Sequence, residues 1–403
     1  MTMSMHPETG VELKRWRGRS AVELTNGIVE ATLLPGGGHV AAWKFAAGHG
    51  RSQVNILWEA PWQTFDPGTE DYAIFVGEDG DLGTKRFLAS YTGHALCLDG
   101  FGPPSAAERA LGNSLHGEGS SVMWTFTSHP ETAATGIAGL PLAQLRVERG
   151  FSLLPGESVL RVDERVTNLS EASRRLHWVQ HGTIGAPIFS EGGRVTSSVR
   201  DGVTWPNDYE GVNLLEQDKK FTWPLALGSG GGVVDLRNLF VKRGTGFVAA
   251  AHQFAGREHG FVAAVEPKLG IAMGYLFSSN VFPWVTLWEE NRARLDAPWS
   301  GEVQARGLEF GTTPLPLGNE SVDAAGDVLG SSTSLRLGPR QSQRAPWMLF
   351  LAEIPRGWKE VEDVRAEGDE IVLIHEREEV RLEAHGAASF LHATREYGTT
   401  EAT

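Results

Sequence analysis

The chain has 403 residues, 41% hydrophobic and 21% charged, a balance ordinary for a globular protein and too apolar for disorder. A formal net charge of −14 argues against a nucleic-acid partner. The single cysteine, Cys97, rules out an internal disulfide and a cysteine-built metal site, while 49 glycines favour many turns and short strands over long helices.

In chain order, the opening "MTMSMHPETGVELKRWRG" lacks the apolar stretch of a signal peptide. No run approaches the roughly 18 apolar residues of a membrane span, so a cytoplasmic protein without a membrane partner is expected. "SAVELTNGIVEATLL" (20–34) predicts a hairpin turning at Asn26-Gly27, followed by a Gly-rich turn at Pro35–Gly38. From about 60 to 115 the strand pattern fades into a long loop, with 104–112 the best helical candidate. "RVERGFSLLPGESVLRVDERVTNLS" (146–170) predicts two strands joined through Pro155-Gly156. "GSGGG" (228–232) lacks the lysine and following helix of a phosphate loop. Alternating runs at 246–254, 261–267, 270–279, 283–290, 302–311, 346–355, 370–376 and 377–385 complete the strands. No period of 20–50 residues repeats, which disfavours propellers and solenoids. Strand signals continue from about 10 to 395 without a linker and predict one all-β domain, an antiparallel sandwich of large sheets.

Three stretches place ionisable groups among glycines and apolar residues. In "ARGLEFGTTPLPLG" (305–318), Leu308 and Phe310 share one strand face, and Glu309 shares the other with Gly307 and Gly311. In "NSLHGEGSS" (113–121), alternation puts His116 and Glu118 on one face; in "LHWVQHGTIGAPIF" (176–189) it does the same for His177 and His181. Histidine with glutamate is the usual pair for acid–base work near neutral pH. His116, His181 and Glu309 also form a two-His, one-carboxylate set, but no tight ligand spacing such as HExxH supports a metal. No GxSxG elbow supports a serine hydrolase. In "FPWVTLWEENRAR" (282–294), Trp284, Thr286 and Trp288 lie on one face, either as a core stripe or with one indole stacking on a sugar.

The order of these motifs resembles the aldose 1-epimerase (galactose mutarotase) superfamily. The carriers are "LPGES" (154–158), "VTNLS" (166–170), His181, "LHGEG" (115–119), "RGLEFG" (306–311) and the early "LLPGGGHVAAWKF" (33–45). The resemblance implies a galactose mutarotase-like β-supersandwich with a sugar-binding groove and no cofactor. It implies Glu309 as general base on the anomeric hydroxyl, His181 as general acid on the ring oxygen, and His116 as a hydrogen-bond donor near that oxygen. Arg86 corresponds loosely to an upstream arginine of the family. Glu118 and Gln180, beside the two histidines, join Arg86, Trp284 and Trp288 as candidate sugar contacts. The chain departs from the family in reading Gln180-His181-Gly182-Thr183 where Asn-His, an aromatic and Asn are usual. It also has no aspartate about midway between His181 and Glu309, where the family grips sugar hydroxyls. There it has His252 and Glu258, and Asp235 lies too early. A carbohydrate-binding or regulatory protein without turnover is the alternative reading.

Overall fold

The computed structural model describes residues 13–48, 53–69, 82–128, 131–392 and 395–396. The signal-peptide expectation for the first dozen residues, and part of the long loop (70–81), lie outside these. Among the described residues no helix is long and apolar enough to cross a membrane.

Alternation in the sequence becomes strands where turn chemistry permits. Strands Arg19–Thr25 and Val29–Leu34 pair antiparallel about the expected hairpin. The Asn26 carboxamide oxygen accepts the N–H groups of Ile28 and Val29, while Gly27 takes a left-handed φ of 84°. Strands Leu145–Leu153 and Val159–Asn168 likewise flank Pro155-Gly156.

Among the described residues the strands assemble into a thirteen-stranded and a ten-stranded sheet. The centre of the first runs in the order His94–Leu98, Trp178–Ile184, Gln304–Gly311, Trp284–Asn291, Thr245–Gln253. The second has Ile271–Ser278, Trp347–Glu353 and Val159–Asn168 at its centre. These sheets face one another across the main core, into which Trp178, Tyr275, Leu308, Phe310 and Trp347 point. The chain therefore has the antiparallel β-sandwich expected of it.

The expected helix appears as Ala106–Ala110, opened by a capping box between Ser105 and Glu108. A helix not expected from the sequence, Leu82–Ser90, lies in the segment read as loop. Its weak amphipathic pattern gives no periodic signal, and it is held by packing Phe87, Leu88 and Ala89 against the outer side of the thirteen-stranded sheet. Three late strands join neither large sheet, whereas the short Arg395–Glu396 pairs with Ser342–Arg344 in the ten-stranded one. Asp363–Glu367, Glu370–His375 and Glu378–Glu383 form a three-stranded sheet of their own. Val364, Ile371 and Leu373 cover the outer side of the ten-stranded sheet at Phe261, Leu276 and Phe350.

A buried polar cluster ties the two large sheets together. Arg149 Nε donates to Glu164 at 2.6 Å and its Nη2 to Gln180 at 2.8 Å; Gln180 Nε2 donates to Glu164 at 2.9 Å. Trp178 Nε1 donates to the same carboxylate at 2.6 Å, and His94 meets Gln180 at 3.0 Å and Tyr275 at 3.2 Å. Arg149 and Glu164 are fully buried. Removing one partner of such a pair leaves an uncompensated charge in a low-dielectric interior. Glu164→Leu is therefore expected to lower unfolding free energy by about 3–5 kcal/mol in denaturant titrations. A loss below about 1 kcal/mol would mean that the cluster does not clamp the sheets.

Candidate active site

The site lies on the face of the thirteen-stranded sheet turned away from the core. In strand Trp178–Ile184, the Trp178, Gln180 and Gly182 positions face the other sheet. A Cβ on Gly182 would come within 2.5 Å of the Tyr275 hydroxyl. His181 and Thr183 consequently face outward. The adjoining strand is paired so that His181 stands directly opposite Glu309, with Thr286 on Glu309's other side.

This register brings His181 Nε2 within 3.5 Å of Glu309 Oε1. Behind the imidazole, Nδ1 lies 3.2 Å from both the Tyr91 hydroxyl and Thr183 Oγ1, which are 2.6 Å from each other. The third residue arrives from a turn rather than the expected strand. His116 has a left-handed φ of 62°, and its Nδ1 accepts the Gly102 N–H at 3.2 Å. That bond leaves Nε2 of the neutral ring carrying the proton, available as a donor. The rings of His116 and His181 are 5.4 Å apart. The sequence-predicted trio thus converges on one cavity of about 340 Å³.

Burial sets the proton affinities. It raises the Glu309 carboxyl well above its ordinary value of 4.5 and lowers His181 to about 4. His116 is also pushed down, first by burial and then by the charges of His181 and Arg294. Glu309 Oε2 is buried and has no hydrogen-bond partner among the described residues. An acceptor left unpaired inside a cavity is a place for a ligand's hydroxyl.

The glycines beside Glu309 serve the protein's own packing. A Cβ at Gly307 would lie 2.4 Å from Glu309 Oε1, and one at Gly311 would lie 2.6 Å from the Trp178 carbonyl. They make room for the carboxylate itself and for the neighbouring strand, rather than for a sugar ring.

The other candidates divide. Trp288 lines the cavity, with its indole 6.0 Å from the His181 ring. Trp284 shares its face but is fully buried farther along, donating to the Ser332 carbonyl and packed on His252. Gln180 belongs to the inter-sheet cluster and points the wrong way for a sugar contact. Arg86 and Glu118 line a separate neighbouring cavity; Glu118 accepts the Ala143 N–H from within a turn, not from a strand face shared with His116. His177 bonds Asn319 at 2.5 Å, outside the cavity. Asp235 is paired with Arg237 and Arg194, and Glu258 is exposed. Neither these nor His252 lines the cavity, where the only carboxylate among the described residues is Glu309.

Sequence reasoning missed much of the wall. Phe87 and Tyr91 come from the unexpected helix and the residue following it, and Trp205, Tyr209, Arg294 and Trp299 come from loops. Trp205 Nε1 is, after Glu309 Oε2, the second buried polar atom of the described cavity wall without a hydrogen-bond partner. The 13 tryptophans in the sequence were the available signal for this aromatic lining, though their number gave no positions.

No protein-family model and no curated protein matches the chain. Solved structures do resemble it in fold. A Klebsiella pneumoniae protein provisionally described as an aldose 1-epimerase is 16% identical, with a TM-score of 0.59 over 84% of this chain and 81% of that one. A galactose mutarotase-like protein from Clostridium acetobutylicum is 14% identical, with a TM-score of 0.55 over 85% and 98%. A galactose mutarotase related enzyme from Lactobacillus acidophilus is 11% identical, with a TM-score of 0.51 over 83% and 98%. The chain has the galactose mutarotase-like fold.

Because Glu309 holds its proton more tightly folded than unfolded, its contribution to stability is fully present below about pH 4.5 and is lost as pH rises through the folded value. Glu309→Gln keeps the shape without the ionisation. The variant's advantage in denaturation midpoint over wild type should be small near pH 4 and should widen as pH increases. A difference independent of pH would contradict the raised carboxyl.

Proposed function

We propose that this protein is an aldose 1-epimerase-like isomerase, interconverting the anomers of a sugar or sugar derivative by acid–base ring opening. The single observation that carries this reading is the Glu309–His181 pair, 3.5 Å apart in an aromatic-lined cavity. The anomeric hydroxyl and the ring oxygen of a sugar are bonded to the same carbon. A base and an acid that serve them must therefore stand only a few ångströms apart.

In this mechanism the Glu309 carboxylate takes the proton of the anomeric hydroxyl while His181 Nε2–H protonates the ring oxygen. The bond between that oxygen and the anomeric carbon breaks and leaves an open-chain aldehyde. His116 Nε2–H offers a further hydrogen bond where negative charge builds on oxygen. Rotation about the first carbon–carbon bond presents the other face of the carbonyl. Ring closure then returns both protons, so the cycle consumes nothing and needs no cofactor.

The opposed proton affinities suit this cycle. Burial favours neutral Glu309 with neutral His181, which holds the same number of protons as the reactive carboxylate–imidazolium form. Moving one proton across the pair converts the resting form into the working one. Tyr91 and Thr183, at Nδ1, orient the imidazole for that transfer.

One observation favours the non-catalytic carbohydrate-binding reading: burial holds Glu309 protonated and His181 neutral, the forms in which neither is ready to act as base or acid. Anomer exchange by NMR separates the two. Glu309→Gln should slow exchange by about 100-fold or more relative to wild type above the spontaneous rate. Binding without acceleration for any sugar would leave the carbohydrate-binding protein.

The pH profile of kcat/KM should be bell-shaped. The acid limb should fall where the pair gains a second proton, near the lowered His181 value of about 4. The alkaline limb should fall where the pair loses its only proton, above the usual carboxylate range. An alkaline limb retained by Glu309→Gln would remove Glu309 from the pair.

A further inference from the structure

Arg294 is the only Arg or Lys among the described residues lining the cavity. Its position is defined. The guanidinium carbon lies 4.7 Å from the Tyr209 ring centroid and 4.6 Å from that of Trp299. Nε donates to Glu210 Oε1 at 3.1 Å. Nη1 is 3.8 Å from Glu290 Oε2, beyond hydrogen-bonding range, and Nη2 has no hydrogen-bond partner among the described residues. An arginine held against two rings, with no hydrogen bond at either terminal nitrogen and only a long ion pair to Glu290, presents a planar fork that matches the oxygens of a carboxylate or phosphate.

The carboxylates around it are otherwise engaged. Glu290 Oε1 accepts the Ala293 and Arg294 N–H groups, and its Oε2 accepts the Tyr209 hydroxyl at 2.9 Å. Glu210 is 55% exposed, so solvent screens its hold on the guanidinium. Burial works against the Arg294 charge, but Tyr209, Glu290 and Glu210 outweigh it and keep the group cationic. The two histidines are held toward neutrality, leaving Arg294 as the permanent positive charge in the wall.

Its place relative to the acid–base pair follows from ring contacts. Trp288 adjoins His181 at 6.0 Å, Trp299 adjoins Trp288 at 6.1 Å, and Arg294 packs on Trp299. Arg294 is thus reached from His181 through two indoles. A sugar with its anomeric carbon at Glu309 and His181 would lie along these rings and direct its far end toward the guanidinium. A cavity of about 340 Å³ is of monosaccharide scale, near the lower limit of ligand sites.

We propose that Arg294 makes this protein selective for an aldose bearing an anionic group, carboxylate or phosphate, at the end remote from the anomeric carbon. The proposal rests on the acid–base reading of the same cavity for where the anomeric carbon sits. In the ordinary case a neutral hexose would leave the Arg294 fork facing water or nothing, whereas an anion satisfies it in a desolvated aromatic setting.

The test compares matched sugars of one configuration: the hexose, its 6-deoxy form, its uronate and its 6-phosphate, measured by anomer exchange and by equilibrium titration. Wild type should prefer one of the two anionic sugars, and which one it prefers distinguishes carboxylate from phosphate. Arg294→Gln should reduce the anionic-to-neutral ratio of kcat/KM about 10–100-fold, and Arg294→Lys should recover part of it. Glu210→Gln, at an exposed position, removes a competing carboxylate and should raise that ratio, which keeps the proposal testable if Arg294→Gln does not fold. A wild-type preference for neutral sugars overturns the proposal. So does an anionic preference that folded Arg294→Gln leaves intact, or that Glu210→Gln lowers. If no sugar shows accelerated exchange but the uronate or phosphate binds wild type and not Arg294→Gln, the anion site stands and the epimerase reading falls.

Discussion

The whole site depends on one register: His181 opposite Glu309 on adjacent antiparallel strands. A slip of strand Trp178–Ile184 by one residue would turn His181 into the sandwich and bring Gln180 outward, leaving Glu309 without its partner. The register is defended from the other side of the sheet. Gln180 is locked into the Arg149–Glu164 cluster, Trp178 donates to the same carboxylate, and Gly182 admits the Tyr275 ring. Each of these contacts requires its residue to face inward, so each fixes His181 outward. The buried charge pair is a poor source of net stability but a good source of specificity for this arrangement.

The outer face shows the converse physics. Loops and a short helix cover the strands with Phe87, Tyr91, Tyr209 and Trp299, and the covering excludes water from the acid–base pair. That exclusion is what separates the proton affinities of Glu309 and His181 in opposite directions. The site is therefore built by desolvation more than by charge placement. Its permanent charge, Arg294, enters from a loop.

Alternation with period two made much of this legible. It gave the faces of Glu309, His181 and Trp288 because a strand's geometry depends on little beyond its own sequence. It could not say where along a face a groove ends. Trp284 and Trp288 share a face, yet four residues of strand separate them by about 13 Å, and only one reaches the cavity. The same parity argument, carried one residue further, shows that Gln180 must oppose His181. Glu118 was misplaced because its stretch is a turn, held by the positive φ of His116 and Gly117 rather than by pairing. Trp205, Tyr209, Arg294 and Trp299 were illegible for a different reason: loop paths depend on tertiary contacts that no local pattern encodes.

Gly307 occupies the socket of the Glu309 carboxylate, with an added Cβ only 2.4 Å from Oε1. The orientation of the proposed base is thus written into its neighbour's missing side chain. Positions 307 and 309 consequently form a single unit of variation. Even the smallest enlargement at 307 would evict the carboxylate from its place while leaving every charge in the chain unchanged. A lineage that changed Gly307 could lose the chemistry yet keep both histidines, the glutamate and the sandwich, and inspection of its acid–base residues alone would not reveal the loss.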